Sequence, residues 1–178
     1  MQPIQSDYTT EPGVQLQLHE NRMFRVYFNG AYHYLEFCHA NDCAVIIPRF
    51  SNGDFLMVRL QRAPAFGQCL EFPRGGIKPK EPLAKGACRE LLEETGFPSN
   101  PEDAMCLGSF GADTATINGL SHVYLVDLPD GVEPGKYDEE EIDEVVRVTP
   151  AELKAMVKDH RICDGHTLSA YAMLLAWT

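Results

Sequence analysis

Glu90, Glu93 and Glu94 crowd into the short stretch "RELLEETGF". On a helix turning about 100° per residue, Ala84, Ala87, Cys88, Leu91 and Thr95 share one apolar face. The three carboxylates fall on the adjacent arc, with 90/93 and 90/94 at i,i+3 and i,i+4 spacing, so their side chains meet. On a solvated face such repulsion costs only a few tenths of a kcal/mol per pair, and most charge runs are solvated. In a cleft, carboxylates this close either share protons or hold cations. Hard divalent ions with oxygen ligands, Mg²⁺ or Mn²⁺, are the natural occupants.

The elements that must position these groups can be read outward from the helix. Upstream, "EFPRGGIKPKE" is a strand followed by a loop containing Pro73, Gly75 and Gly76, then the helix over 82–95. A loop feeding a helix this way can aim backbone groups at phosphate or metal. Gly96 and Pro98 terminate the helix. Residues 1–20 are polar and are expected to be loosely ordered. "RMFRVYFNGAYHYLEF" alternates around Asn29-Gly30 and predicts a hairpin. "CAVIIPRF", "FLMVRLQR", "QCLEFP", "AMCLGSFGA", "SHVYLVDL" and "VVRVT" predict strands. "VEPGKYDEEEIDE" is an acidic loop. Thr149-Pro150 opens a helix as N-cap and first residue, and "TLSAYAMLLAW" is a closing apolar helix. Strands on both sides of one central helix, then two more helices, make a mixed α/β chain.

Composition narrows the function. The 178 residues are 44% hydrophobic with a formal net charge of -11, enough for one domain with a real core. Without a Lys/Arg cluster, neither a nucleic-acid face nor an anionic membrane surface is expected. No apolar run approaches the ~20 residues that span a bilayer, and the N-terminus has no secretory h-region. The six cysteines lack a CxxC pair and are expected to be reduced thiols of a cytoplasmic protein. The histidines show no zinc-ligand spacing.

From Gly75 to Phe97 the chain matches every fixed position of the Nudix box, GX5EX7REUXEEXGU with U apolar, and so resembles the Nudix hydrolases. The resemblance implies an α/β/α sandwich with a mixed sheet and cleavage of the diphosphate linkage of a nucleoside diphosphate joined to another moiety. It implies Glu90 and Glu94 as metal ligands, Glu93 assisting, and the backbone carbonyl of Arg74 as a further ligand, around two or three Mg²⁺ or Mn²⁺ ions. Gly75 gives structural support, and Arg89 and Glu81 form an ion pair that orients the carboxylates. The flanks, "VRLQRAPAFGQCLEFPRGG" and "DEEEIDEVVRVTPAELKAMVKDHRICDGHTLSAYAMLL" with its I-x-D-x-x-T, resemble the ADP-ribose and nucleoside-diphosphate-sugar pyrophosphatases. That branch implies Arg62 on a phosphate or terminal ribose, Glu71 on substrate or metal, and a water-activating glutamate in the acidic loop. Glu141 is the choice there, with Glu139, Glu140 and Glu144 left open. It also implies a β-element over 1–40 that pairs two subunits of a homodimer, ahead of a hydrolase domain over 41–178. Three positions depart from the branch. Ala is common where Arg74 stands, Leu60-Gln61-Arg62 lacks the usual Tyr, and "GADTAT" replaces a Pro-containing segment. Dinucleoside polyphosphates, coenzymes or oxidised nucleotides are alternative substrates, and a non-catalytic nucleotide sensor is the alternative class. Arg62 and Glu71 also have plainer readings, as a surface arginine and a strand-end cap.

Overall fold

The computed structural model describes residues 14–40, 42–62, 66–129, 131–132, 134–137, 140 and 142–177. Three short strands come first: β1 (Leu16–Glu20), β2 (Phe24–Phe28) and β3 (His33–Phe37). They form a separate antiparallel sheet in the order β1-β2-β3. The second sheet holds β4 (Cys43–Phe50), β5 (Phe55–Gln61), β6 (Gln68–Glu71), β7 (Arg74–Gly76), β8 (Met105–Phe110), β9 (Ser121–Leu128) and β10 (Ile142–Val148). Its helices are α1 (Leu83–Thr95), α2 (Pro150–Lys158) and α3 (Gly165–Trp177).

The main sheet runs β10-β5-β4-β9-β8, with β6 paired to β5 and β7 paired to β4. β4 and β9 are parallel and the other pairs antiparallel. The apolar run "CAVIIPRF" reflects cover on both faces. Ala44 and Ile46 pack with Ala87 and Leu91 of α1. Val45 and Ile47 face the other way, into a core shared with Leu153 of α2 and Ala170 and Leu174 of α3. This is the expected α/β/α sandwich with a mixed sheet.

One local feature creates the site. β4 pairs with β5 only at their shared turn, where Arg49 faces Phe55. Beyond it the strands part. β6 follows β5, β7 follows β4, and the chain crosses the gap at Phe72-Pro73. The crossing is anchored from both sides: the Ile46 N–H donates to the Pro73 carbonyl at 2.8 Å, and the Phe72 N–H donates to Thr167 Oγ1 at 3.0 Å. Residues 74–76 are therefore a short strand rather than the loop that Pro73, Gly75 and Gly76 suggest.

Helix ends follow their local chemistry. Gly96 caps α1 at φ 74 in the left-handed region that Gly enters freely, its N–H bonded to the Leu92 carbonyl. Thr149 and Glu152 form a reciprocal capping box at α2. α3 begins two residues earlier than the apolar pattern suggests, because Asp164 accepts from the Thr167 N–H at 2.8 Å and caps it. The predicted hairpin is present, with a four-residue loop since Phe28 pairs with His33. Asn29 Oδ1 accepts from the Ala31 and Tyr32 N–H groups and shapes that loop. The loosely ordered character expected for residues 1–20 does not hold at its end. Residues 16–20 form β1, since "LQLHE" supplies a strand edge that β2 can pair; residues 1–13 lie outside the described residues. The small sheet meets the main domain through Leu35, whose N–H donates to Thr116 and whose carbonyl accepts from Asn118.

Candidate active site

The α1 carboxylates are not fanned into solvent. Glu90 and Glu94 are each only 8% exposed, because their arc of the helix lies under β7 and the crossing. Glu93, farther round, is about one-third exposed. The fit is close at Gly75, where a methyl group would strike the Glu90 carboxylate. Only glycine lets that backbone and that side chain share the space.

Each carboxylate is held by a named donor. The Arg74 N–H donates to Glu94 Oε2 at 3.0 Å. Arg89 Nη1 donates to both Glu90 at 2.6 Å and Glu93 at 2.7 Å. The same guanidinium grips Glu81 through Nε and Nη2, at 3.0 and 2.9 Å, and the Gly76 carbonyl at 2.8 Å. Glu81 in turn accepts from the Lys78 N–H. Arg89 thus ties the loop before the helix to two of its three glutamates. The Arg89 hydrogen bonds are the main reason that Glu81 titrates down at about 2. Glu81 raises the arginine in return.

Glu94 goes the other way. Burial lifts its pKa to about 8, and the charge of Glu90 adds to the rise, against the Arg74 N–H and the charges of Arg74 and Arg62. A buried carboxyl with so high a proton affinity lacks enough nearby positive charge. Among the described residues no three His, Cys, Asp or Glu side chains converge on a point that could hold an ion. The bonds to Arg89 and Arg74 explain the separation, since Arg89 draws Glu90 and Glu93 to itself. The donor chemistry itself, hard carboxylate oxygens packed against the Gly75 backbone, fits a hard divalent cation.

A second cluster adjoins the first across Arg74. Glu71, 1% exposed, receives two bonds from Arg62, at 2.9 and 2.7 Å. Arg74 Nε reaches the same carboxylate at 3.1 Å and its Nη2 lies 3.5 Å from Asp164. Asp164 is steadied by both the N–H and the hydroxyl of Thr167, at 2.8 Å each. Burial would raise the Asp164 pKa, but His166, Arg74 and Thr167 together hold it well below the ordinary range. Arg62 and Glu71, expected to meet substrate, are thus paired with each other on the wall of a cleft of about 270 Å³. A second cleft of about 340 Å³ opens on the other side of Arg74, toward the small sheet. Asp164 and Thr167 join the site without a sequence-level role assigned to either residue. Their signal was the I-x-D-x-x-T pattern itself.

Of the acidic-loop candidates, Glu140 is exposed, and Glu139 and Glu141 lie outside the described residues. Glu144 is in β10 and bonds Arg59 at 2.9 Å. All six cysteines are free; burial pushes the Cys43 thiol up to about 11. Tyr124 is buried in the core. Trp177 is 58% exposed, with its indole N–H donating to the Leu107 carbonyl.

The NUDIX domain profile matches residues 40–170, which is most of the chain. This chain belongs to the NUDIX family. With that family comes dependence on a divalent cation, and the expected pyrophosphohydrolase class stands. A methanol dehydrogenase activator from Bacillus methanolicus is 29% identical over 137 residues, covering 76% of this chain and 72% of that protein. An ADP-ribose pyrophosphatase from Bacillus subtilis is 30% identical over 122 residues, covering 68% of this chain and 64% of its own length. Among solved structures, an ADP compounds hydrolase superposes with a TM-score of 0.73 at 21% identity, covering 97% of this NUDIX chain and 96% of that one.

Proposed function

We propose that this NUDIX protein hydrolyses the diphosphate linkage of ADP-ribose or a related nucleoside diphosphate sugar, releasing a nucleoside monophosphate and a sugar phosphate. The observation that carries the reading is the burial of Glu90 and Glu94 against the Arg74–Gly76 strand. A carboxylate buried with too little positive charge, Glu94, beside a second buried carboxylate, Glu90, is a poor way to stabilise a fold and a good way to hold cations. The similarity to an ADP-ribose pyrophosphatase and to an ADP compounds hydrolase supports the substrate class.

In this reading Glu90 and Glu94 hold Mg²⁺ or Mn²⁺, two or three ions in all, with Glu93 and the Arg74 carbonyl assisting. Bound ions neutralise the diphosphate and lower the pKa of a water. The chain's own residues supply order. Arg89 keeps Glu90 and Glu93 from repelling each other and fixes their height against Gly76. The Arg74 N–H keeps Glu94 pointed at the crossing. Glu81 holds Arg89 in place. Arg62 and Glu71 bound the neighbouring cleft, where they meet the substrate. A glutamate of the acidic loop, Glu141 ahead of Glu140 and Glu139, takes the proton of the attacking water. The three-stranded N-terminal sheet pairs two copies into a homodimer, and free thiols suit a cytoplasmic setting.

Incubation with ADP-ribose and Mg²⁺ tests this, with AMP and ribose 5-phosphate as the measured products and Glu94→Gln as control. Absence of product from ADP-ribose and from a panel of nucleoside diphosphate sugars, or equal rates in wild type and control, would overturn it.

A further inference from the structure

Arg74 stands where the two clefts meet: among the described residues it alone lines both. On one side are Met23, Phe37, Ile117 and Leu120, largely apolar. On the other are Arg62, Glu71 and Asp164. Its own N–H is bonded to Glu94, so its side chain rises directly beside the α1 carboxylates.

Neither carboxylate partner of the guanidinium relies on it alone. Glu71 already has a two-pronged bond from Arg62, and Asp164 has two bonds from Thr167. The contact with Asp164, at 3.5 Å, is the longest arginine contact of the cluster, against 2.7 and 3.1 Å for the two arginine contacts with Glu71. Arg89, by contrast, is fully committed, to Glu81, Glu90, Glu93 and the Gly76 carbonyl. The cation next to the metal-ligand candidates that can be released at least cost to the fold is therefore Arg74.

We propose that the Arg74 side chain is a substrate-binding and specificity residue. Its guanidinium leaves Asp164 and takes a diphosphate oxygen at the boundary of the two clefts, so that the favoured substrate is a diphosphate carrying an organic group at each end, one in each cleft. This rests on the diphosphate-hydrolase reading above. A planar fork suits phosphate better than a point charge.

The test uses Arg74→Ala and Arg74→Lys in the full chain. Binding of ADP-ribose is measured by calorimetry with Ca²⁺ in place of Mg²⁺, alongside kcat and KM with Mg²⁺ and thermal melting. Loss of a charge-assisted hydrogen bond is expected to weaken binding and raise KM about 10–100-fold in the alanine variant. The lysine variant should fall between it and wild type, and both should melt near wild type. A Kd for Arg74→Ala within twofold of wild type overturns the proposal. So does an affinity loss that merely tracks a lowered melting temperature. Arg74-dependent binding by a wild type that releases no AMP would leave this contact standing and remove the hydrolase reading. Hydrolysis unaffected by the alanine change would do the reverse.

Discussion

Replacing Glu94 by glutamine is expected to stabilise the metal-free protein while nearly abolishing turnover. The size of the first effect follows from the site. Glu94 titrates at about 8 in the fold, against 4.5 for an ordinary glutamate. Between those values the native state keeps a proton that the unfolded chain has lost. A carboxyl with a raised pKa therefore lowers stability as pH rises through this window, and the loss is complete above about pH 8. At pH 7 the linkage amounts to roughly 3 kcal/mol. Glutamine is neutral at every pH and can still accept from the Arg74 N–H. In EDTA the variant should thus match wild type near pH 4 and melt on the order of 6–12 °C higher at pH 7.

Divalent cation should reverse that order. Ligand bound only to the native state stabilises it by about 2.7 kcal/mol at one hundred times its Kd, and the variant needs more Mg²⁺ for the same gain. Protons and metal compete for the same carboxylate, so wild-type Mg²⁺ affinity should fall as pH drops below about 8. Loss of the ligand should lower kcat/KM on the order of 10²–10³. The assay is a set of melting curves from pH 4 to 9, in EDTA and across a Mg²⁺ titration, run beside product release from ADP-ribose. Identical melting of the two proteins across pH in EDTA would refute the buried-carboxyl argument. Equal Mg²⁺ response would refute the ligand assignment.

Four further outcomes are expected. Gly75→Ala should cost about 1–3 kcal/mol from overpacking against Glu90 and should lower activity beyond what its melting curve accounts for. Arg89→Lys cannot reproduce the fork to Glu81, Glu90 and Glu93; Mg²⁺ affinity by calorimetry should fall about 10–100-fold. Among Glu139→Gln, Glu140→Gln and Glu141→Gln, the last should give the largest drop in kcat with unchanged melting and Mg²⁺ affinity, and an equal drop in all three would remove the assignment of a single base. Thr149→Ala breaks the α2 capping box and should cost about 1 kcal/mol while leaving kcat/KM unchanged, which sets the scale for a purely structural loss.

The parts of this molecule that were legible in the sequence are those whose physics is local. The α1 carboxylates sit three and four residues apart, and a helix brings such residues together whatever the fold around it. Gly96 with Pro98, and Thr149-Pro150 with Glu152, mark helix ends through bonds that reach no farther than a turn. The run "CAVIIPRF" announces a strand covered on both faces. Local rules fail where a partner is distant. Nothing near Gly75 shows that β4 will lose β5 and accept residues 74–76 in its place. Nothing near Arg62 shows whether its guanidinium faces solvent, a phosphate or the buried Glu71.

Arg74 shows where local information ends. At the sequence level its backbone enters only as a carbonyl, implied as a metal ligand by the family resemblance; the bond its N–H makes to Glu94 joins residues twenty apart and has no local signal. Its side chain was no more legible, because its two partners lie three and ninety residues away, on β6 and at the head of α3. Asp164 reaches Arg74 only because Thr167 fixes it as the cap of α3 and at the same time receives the Phe72 N–H of the crossing. One threonine thus ties the last helix to the strand exchange that opens the site. Serine at 167 would keep both hydroxyl bonds and lose only a methyl group, whereas valine would keep the shape and lose both. If the crossing depends on that hydroxyl, valine is the damaging change, and the Phe72 N–H, buried with no acceptor, is the reason.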